Sequence, residues 1–250
     1  MFESGLVVAV LFIFGTAIGS FLHVVAERYG TGESIIGKEK QSYCPHCKKT
    51  LSAWELVPIF SYVFSRATCR GCRAEIPAHY PGIELLTGIL AVSLLFSGHV
   101  PLFIAACILV VLIRIDAKTM LLPDGYIYAL TLIAALYVLL IHRDINDIAF
   151  GVLAGAGSLY LLWIGTGGRG IGFGDVKLMI PLGILFGLQG VVTLLFFSFF
   201  AGGLISLFLL ATKNVTPKTA IPFGPFLAGA ALFIMIFPNV VDRFFMFLGV

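Results

Sequence analysis

Four cysteines stand in two C-x₂-C pairs, C-P-H-C (Cys44, Cys47) and C-R-G-C (Cys69, Cys72), with 21 residues between the pairs. A C-x₂-C turn brings two thiolates to one tetrahedral metal at about 2.3 Å, and two such turns close a structural zinc site. The spacer slightly exceeds the usual range of roughly 15–20. Lys48, Lys49, Arg70 and Arg73 beside the cysteines offset the double negative charge that four thiolates leave on a zinc ion. Disulfides are the competing use of the same thiols, and they form in oxidising compartments rather than in the cytosol. The choice therefore turns on which side of a membrane the cysteines occupy. His46 sits inside the first turn, a poor position for a replacement ligand, and Cys107 lies in an apolar run, where a thiol packs as a small hydrophobe.

Two aspartates sit at the edges of apolar runs. Asp116 closes one in R-I-D-A-K-T-M-L-L-P-D, and Asp175 opens another in G-I-G-F-G-D-V-K. Acids in or beside a bilayer are costly and mark function by default. If the two converge they share one proton, because neighbouring carboxylates cannot both ionise easily. The ionised member is then a general base for water and the protonated member polarises a peptide carbonyl, which hydrolyses the bond without a covalent intermediate. Gly172 and Gly174 let backbone come close to a partner chain. The plain alternative is that both aspartates only mark helix ends at the interface. Lys177 either tunes a carboxylate, meets substrate, or anchors the chain at the headgroups. No Ser-His pairing or H-E-x-x-H string offers a different peptidase chemistry.

The elements that must position these groups follow from composition. Of 250 residues, 59% are hydrophobic and only 12% are charged, whereas a soluble domain carries about 25% charge. This excludes a soluble globular enzyme and a disordered chain, and it argues against nucleic-acid binding. A membrane helix needs about 20 apolar residues. Eight segments read as spans: 6–25, 82–97, 101–115, 126–141, 148–164, 178–188, 191–211 and 226–241. The stretch 178–211 is one long helix or two; Pro181, Gly187, Gln189 and Gly190 favour a break. With the N-terminus outside, fourteen of sixteen Lys/Arg fall inside, Arg143 and Arg243 being the exceptions, as the positive-inside rule requires. The same orientation puts the polar stretch 26–80, with its cysteines, in the reducing cytoplasm. It also puts Asp116 and Asp175 on one face. The net charge of +3 is thus a topology signal rather than a nucleic-acid footprint.

The expected fold is an all-α polytopic membrane protein of about eight helices, with a small cytoplasmic zinc-ribbon-like domain inserted after the first. Its parts are a first span (1–25), a four-cysteine domain (26–80) and a seven-helix membrane core (81–250). G-T-A-I-G (15–19) and G-V-L-A-G (151–155) are small-xxx-small patterns that pack helices closely. The Gly-rich run 165–174 and the Pro/Gly-rich stretch 217–225 are candidates for lining a site, or are ordinary connections. Glu27, Glu33, Glu39, Glu55 and Glu75 are an acidic surface, and Glu84 either pairs with an Arg or lines the site.

In the order of its motifs the chain resembles the type IV prepilin peptidases, membrane aspartyl peptidases of the G-x-G-D kind. The resemblance rests on F-G-T-A-I-G-S-F-L-H-V-V (14–25), the cysteine box with W-E-L-V-P-I-F-S-Y (54–62) inside it, and H-Y-P-G-I-E-L-L-T-G (79–88). It continues through the D-x₇-D stretch 116–124, G-F-G-D-V-K-L (172–178) and I-P-F-G-P-F-L-A (221–228). It implies that Asp116 and Asp175 are catalytic and that Asp124 has a supporting role. The implied substrates are prepilins and type II secretion pseudopilins, with a basic leader and an apolar helix. The implied location is the bacterial inner membrane, with the active site on the cytoplasmic side. Members with the cysteine box often also methylate the new N-terminus with S-adenosylmethionine. Three positions depart from the family pattern: His23 stands where Asn is usual, S-R-A-T-C (65–69) replaces R-G-x-C, and Phe173 replaces a common Met. The alternatives are a peptidase without methyl transfer, with His23 as its hint, and an ion-coupled transporter with a zinc cap. Transporter acids usually lie near the midplane, whereas these lie at span ends.

Overall fold

The computed structural model describes residues 2–30, 42–212 and 219–249. Glu33, Glu39, Lys38, Lys40, Lys213, Lys218 and Pro217 lie outside the described residues. Helices dominate, and the only β pairing among the described residues is two isolated bridges, Tyr43 with Thr50 and Thr68 with Glu75. Two units divide the chain, 1–103 and 104–250.

In the first unit, helix α1 (Phe2–Arg28) pairs with α3 (His79–Leu95), and between them come a one-turn 3₁₀ helix (Ala53–Leu56) and the short α2 (Phe60–Phe64). Lipid tails are as apolar as leucine, so helices in lipid are held by close packing rather than by hydrophobic expulsion. Glycines make that packing possible here. A Cβ on Gly15 would come within 2.6 Å of the Thr87 carbonyl, and one on Gly19 within 2.9 Å of the Glu84 Cα. The small-xxx-small pattern of α1 therefore carries a backbone-to-backbone contact, and the two helices run antiparallel.

Helix α4 (Val100–Thr119) leads into the second unit, followed by α5 (Asp124–Leu140) and α6 (Ile145–Val152). A π-helical turn (Leu153–Gly157) joins α6 to α7 (Ser158–Thr166), and then come α8 (Phe173–Ala211), α9 (Gly224–Ile236) and α10 (Asn239–Leu248). Each helix starts where its sequence permits. Pro123 sets an extended backbone before α5, Asp144 caps α6 by accepting the Asn146 N–H at 3.2 Å, and Pro225 opens α9. Helix α7 ends on Gly167 in the left-handed region. The core of this unit includes Leu109, Leu112, Ile115, Leu130, Leu178, Met179, Leu182 and Leu227, all fully buried. Many large apolar side chains instead face outward, among them Leu132, Leu161 and Phe208, which suits a chain whose solvent is lipid.

By length and composition, four helical segments can cross a membrane: Ser4–Arg28, Val100–Thr119, Ile145–Thr166 and Phe173–Ala211. The pair α9 and α10, bent by 102°, makes a fifth if counted as one. Helices α3 and α5 are apolar but shorter, at 17 residues each. At 39 residues α8 is far longer than one span needs, because a straight helix of that length would reach roughly 58 Å. It is not straight: Gly187 takes φ 65° and ψ −170°, which breaks the helix within the stretch where the sequence favoured a break.

That break is held from outside α8. Asp147 on α6 accepts the Leu188 N–H at 2.9 Å, so a neighbouring helix caps the second limb, and Arg143 binds the other oxygen of the same carboxylate at 3.1 Å. A Cβ at Gly187 would lie 2.0 Å from Asp147 Oδ2. Asp147→Ala is expected to destabilise the protein by roughly 1–2 kcal/mol, the usual loss for a cap, and Asp147→Asn by less, since its amide oxygen still accepts. Thermal unfolding in detergent reads both; equal melting of wild type and Asp147→Ala would count against the cap.

Candidate functional site

Asp116 and Asp175 are the two buried acids of the second unit, at 5% and 6% exposure. Each lies near the end of a helix, Asp116 in the last turn of α4 and Asp175 in the first turn of α8. Three glycines bring them together. The Asp175 side chain reaches back to accept the Gly172 N–H at 3.2 Å, the usual way an acid at the third helical position satisfies a free N-terminal donor. A Cβ on Gly172 would press on that carboxylate oxygen at 3.3 Å. Gly174 instead makes room for Leu122, whose Cβ would stand 3.2 Å from a Cβ placed there.

Leu122 also lies against Gly224, at the start of α9, and a Cβ on Gly224 would be 2.5 Å from Asp116 Oδ2. Leu122 is thus the common neighbour of the two glycines that flank the two acids. The carboxylates lie within range of each other's charge. The Gly224 N–H approaches the Asp116 carboxyl, yet Asp116 Oδ2 itself is buried with no hydrogen-bond partner among the described residues. An acid pair with one oxygen left uncommitted is what proton exchange with a water and a substrate carbonyl requires.

Asp124 and Lys177 form an ion pair across the entry to α5 and the first turn of α8. Lys177 also lies 5.7 Å from the centre of the Phe173 ring, which packs 5.3 Å from Trp163 at the end of α7. The two singled-out residues therefore meet each other rather than the buried acids, and they form a half-exposed rim. Of the Pro/Gly-rich stretch 217–225, the described part brings Gly224 to the site. The signal for Gly224 stood in I-P-F-G-P, but only its contact with Asp116 gives it a role.

The cysteine box lies in the first unit. The two turns repeat one geometry. Cys44 N–H donates to Lys49 and Lys48 N–H to the Cys44 carbonyl, both at 2.9 Å; Cys69, Ala74 and Arg73 repeat this at the same distances. In each turn the residue after the second cysteine is left-handed, Lys48 at φ 57° and Arg73 at φ 58°. The Sγ atoms of Cys44 and Cys72 are 3.8 Å apart, and those of Cys47 and Cys69 are 4.0 Å apart. These are no disulfides, which need about 2.05 Å. Tetrahedral geometry at about 2.3 Å from a zinc ion places sulfurs roughly 3.8 Å apart, so the donor set fits.

Electrostatics agrees with that fit. The N–H groups of Cys72 and Gly71 hold the Cys69 thiol down to about 6. At Cys72 the Ala74 N–H also favours the thiolate, but burial and the neighbouring sulfurs outweigh it and push that thiol up to about 11. Four sulfurs this close do not all ionise without a cation among them.

Glu84 finds its partner in a backbone N–H. Its carboxylate accepts the Ile59 N–H at 2.7 Å, and Ile59 is left-handed at φ 62°. This ties the W-E-L-V-P-I-F-S-Y loop to α3 and joins two of the sequence motifs in one contact. Glu55 closes the 3₁₀ turn by accepting the Ser52 N–H and hydroxyl, each at 2.9 Å, with Lys49 beside it, and is held down to about 2.

Two family models match the chain: the bacterial peptidase A24 N-terminal domain over residues 13–97, and the type IV leader peptidase family over residues 103–207. A curated protein of Aeromonas hydrophila named prepilin leader peptidase/N-methyltransferase is 32% identical, over 95% of this chain and 93% of its own length. One of the same name from Bacillus subtilis (strain 168) is 31% identical, over 95% and 97% respectively. Another, from Burkholderia pseudomallei (strain 1026b), is 33% identical over 91% and 85%. No solved structure matches the chain.

The fit around Asp116 is tight enough to test by volume alone. Gly224→Ala is expected to destabilise the protein by about 1–3 kcal/mol, as overpacking does. Gly229→Ala, whose Cβ meets nothing within 4 Å, serves as the neutral control on the same helix. Identical melting temperatures for the two variants would contradict the contact.

Proposed function

Because the chain belongs to the type IV leader peptidase family, we propose that Asp116 and Asp175 are the catalytic pair of a prepilin leader peptidase/N-methyltransferase. The observation that carries the assignment is the convergence of these two buried acids at helix ends, within range of each other's charge. The substrates are prepilins and pseudopilins, whose short basic leader is cut from an apolar helix. One carboxylate removes a proton from water as its oxygen attacks the scissile carbonyl. The other, protonated, donates to the carbonyl oxygen. Collapse of the tetrahedral intermediate breaks the C–N bond, and the amine leaves with a proton from the pair. Gly172, Gly174 and Gly224 position the acids, while Asp124 and Lys177 form the rim over which the leader passes.

Eight apolar helical segments support the eight-span reading: α1, α3, α4, α5, α6 with α7, the two limbs of α8, and α9. Alternating them from an outside N-terminus puts the end of α4 and the starts of α5, α8 and α9 on the cytoplasmic side. The contacts among Asp116, Leu122, Gly174, Gly224, Asp124 and Lys177 agree with that alternation. So do Asp147, Arg143 and Leu188, which meet on the other side. The protein is then a multi-pass inner-membrane enzyme, with 1–25 as first span, 26–80 as cytoplasmic domain and 81–250 as membrane core.

Cys44, Cys47, Cys69 and Cys72 hold a structural zinc ion, which fixes both turns of the cytoplasmic domain. S-adenosylmethionine is the methyl donor that the relatives' name implies. The described residues contain no strand-to-helix glycine turn to hold its adenosine, so none of them is matched to it.

Processing of a purified prepilin tests the pair. Asp116→Asn and Asp175→Asn should each abolish cleavage while the zinc content stays unchanged; normal cleavage by either variant rules the pair out. Cys44→Ser combined with Cys47→Ser should remove one zinc per chain, and an unaltered metal content would refute the zinc site.

A further inference from the structure

Helix α1 meets α3 along one stripe of residues four apart: Gly15, Gly19, His23 and Glu27. Residues so spaced share a helix face. The first two are glycines that bring the backbones together. One and two turns further on, where α3 begins, the stripe changes chemistry. There His23 is buried at 4% exposure, its ring centre 5.3 Å from that of His79 and 3.8 Å from that of Tyr80. His23 Nε2 lies 3.9 Å from Glu27 Oε1. One ligand atom each from His23, Glu27 and His79 falls within 4.8 Å of the other two.

We propose that His23, Glu27 and His79 form a second metal site, for a divalent first-row transition ion such as zinc, distinct from the cysteine box. Two imidazoles and one carboxylate are a recognised ligand set for zinc and for non-haem iron, and three protein ligands leave coordination positions open. Metal–nitrogen distances of about 2.0–2.1 Å require ligand atoms roughly 3.3 Å apart, and the His23–Glu27 pair already stands at 3.9 Å. Two ligands one helical turn apart on α1 and a third at the start of α3 make this a clamp between two helices already in backbone contact. The cysteine box is closed by four protein ligands. This second site is open, so a water or a donor group of a bound molecule completes it.

Cobalt distinguishes the two sites in one sample. Purified full-length protein is equilibrated with Co²⁺ and desalted, and its cobalt is counted per chain. The sulfur-to-cobalt charge-transfer band, which only thiolate ligands give, is recorded alongside. The expected result is one cobalt per chain that the band does not account for. That cobalt is lost in each of His23→Asn, Glu27→Gln and His79→Gln, while the thiolate band stays unchanged. Cobalt uptake that the thiolate band accounts for in full overturns the site. A band-free cobalt retained in any one of the three variants overturns the three-ligand assignment.

Discussion

Backbone contact between helices, possible only where no Cβ intervenes, is the constraint on which both units rest. Leucine side chains gain nothing by leaving lipid for leucine neighbours, so van der Waals fit must do what hydrophobic expulsion does in water. Gly15 and Gly19 supply that fit in the first unit. In the second, a Cβ on Gly183 would meet Val152 Cα at 2.6 Å, and one on Gly151 would meet the Gly187 carbonyl carbon at 2.6 Å. Helices α6 and α8 are therefore locked together near the break in α8. Asp147 can reach the freed Leu188 N–H only because of that approach. The same device operates at the opposite helix ends, where Gly174 and Gly224 both make room for Leu122.

Much of this was legible in the chain. The cysteine spacing predicted one cluster, and the structure brings all four sulfurs together. Apolar run and charge placed Asp116 and Asp175 at comparable helix ends, and both are buried there. The break in α8 was expected within a ten-residue window, and Gly187 takes it. What escaped reading was whatever depends on contact between distant segments. Ile59, Lys48 and Arg73 are left-handed without being glycine, and no propensity announces that. Ile59 keeps its conformation because Glu84 accepts its N–H from another helix. Asp147 looks like an ordinary acid of a helix start until α8 arrives beside it. Lys177 had several possible partners in sequence, and geometry gave it Asp124.

The proposed function gives the helix-end position of the two buried acids a physical reason. A peptide bond inside a helix is shielded by its own hydrogen bonds, so cleavage requires an unwound segment. In or near lipid, unwound backbone is tolerable only where protein groups satisfy it. Mid-helix surfaces offer none, because their N–H and C=O groups are already paired. The first turn of α8 does, since the leading N–H groups of a helix lack intrahelical partners. The N–H of Gly172, the residue just before that turn, is taken by Asp175, which fixes the acid at the edge of the leading donors. The start of α9 offers none, since Pro225 has no N–H and the Phe226 and Leu227 N–H groups both donate to the Phe223 carbonyl, while the Gly224 N–H approaches Asp116. In the proposed function, placing Asp175 next to the start of α8 therefore gives an extended substrate strand both an acid of the cutting pair and donors that replace hydrogen bonds it loses on leaving its helix.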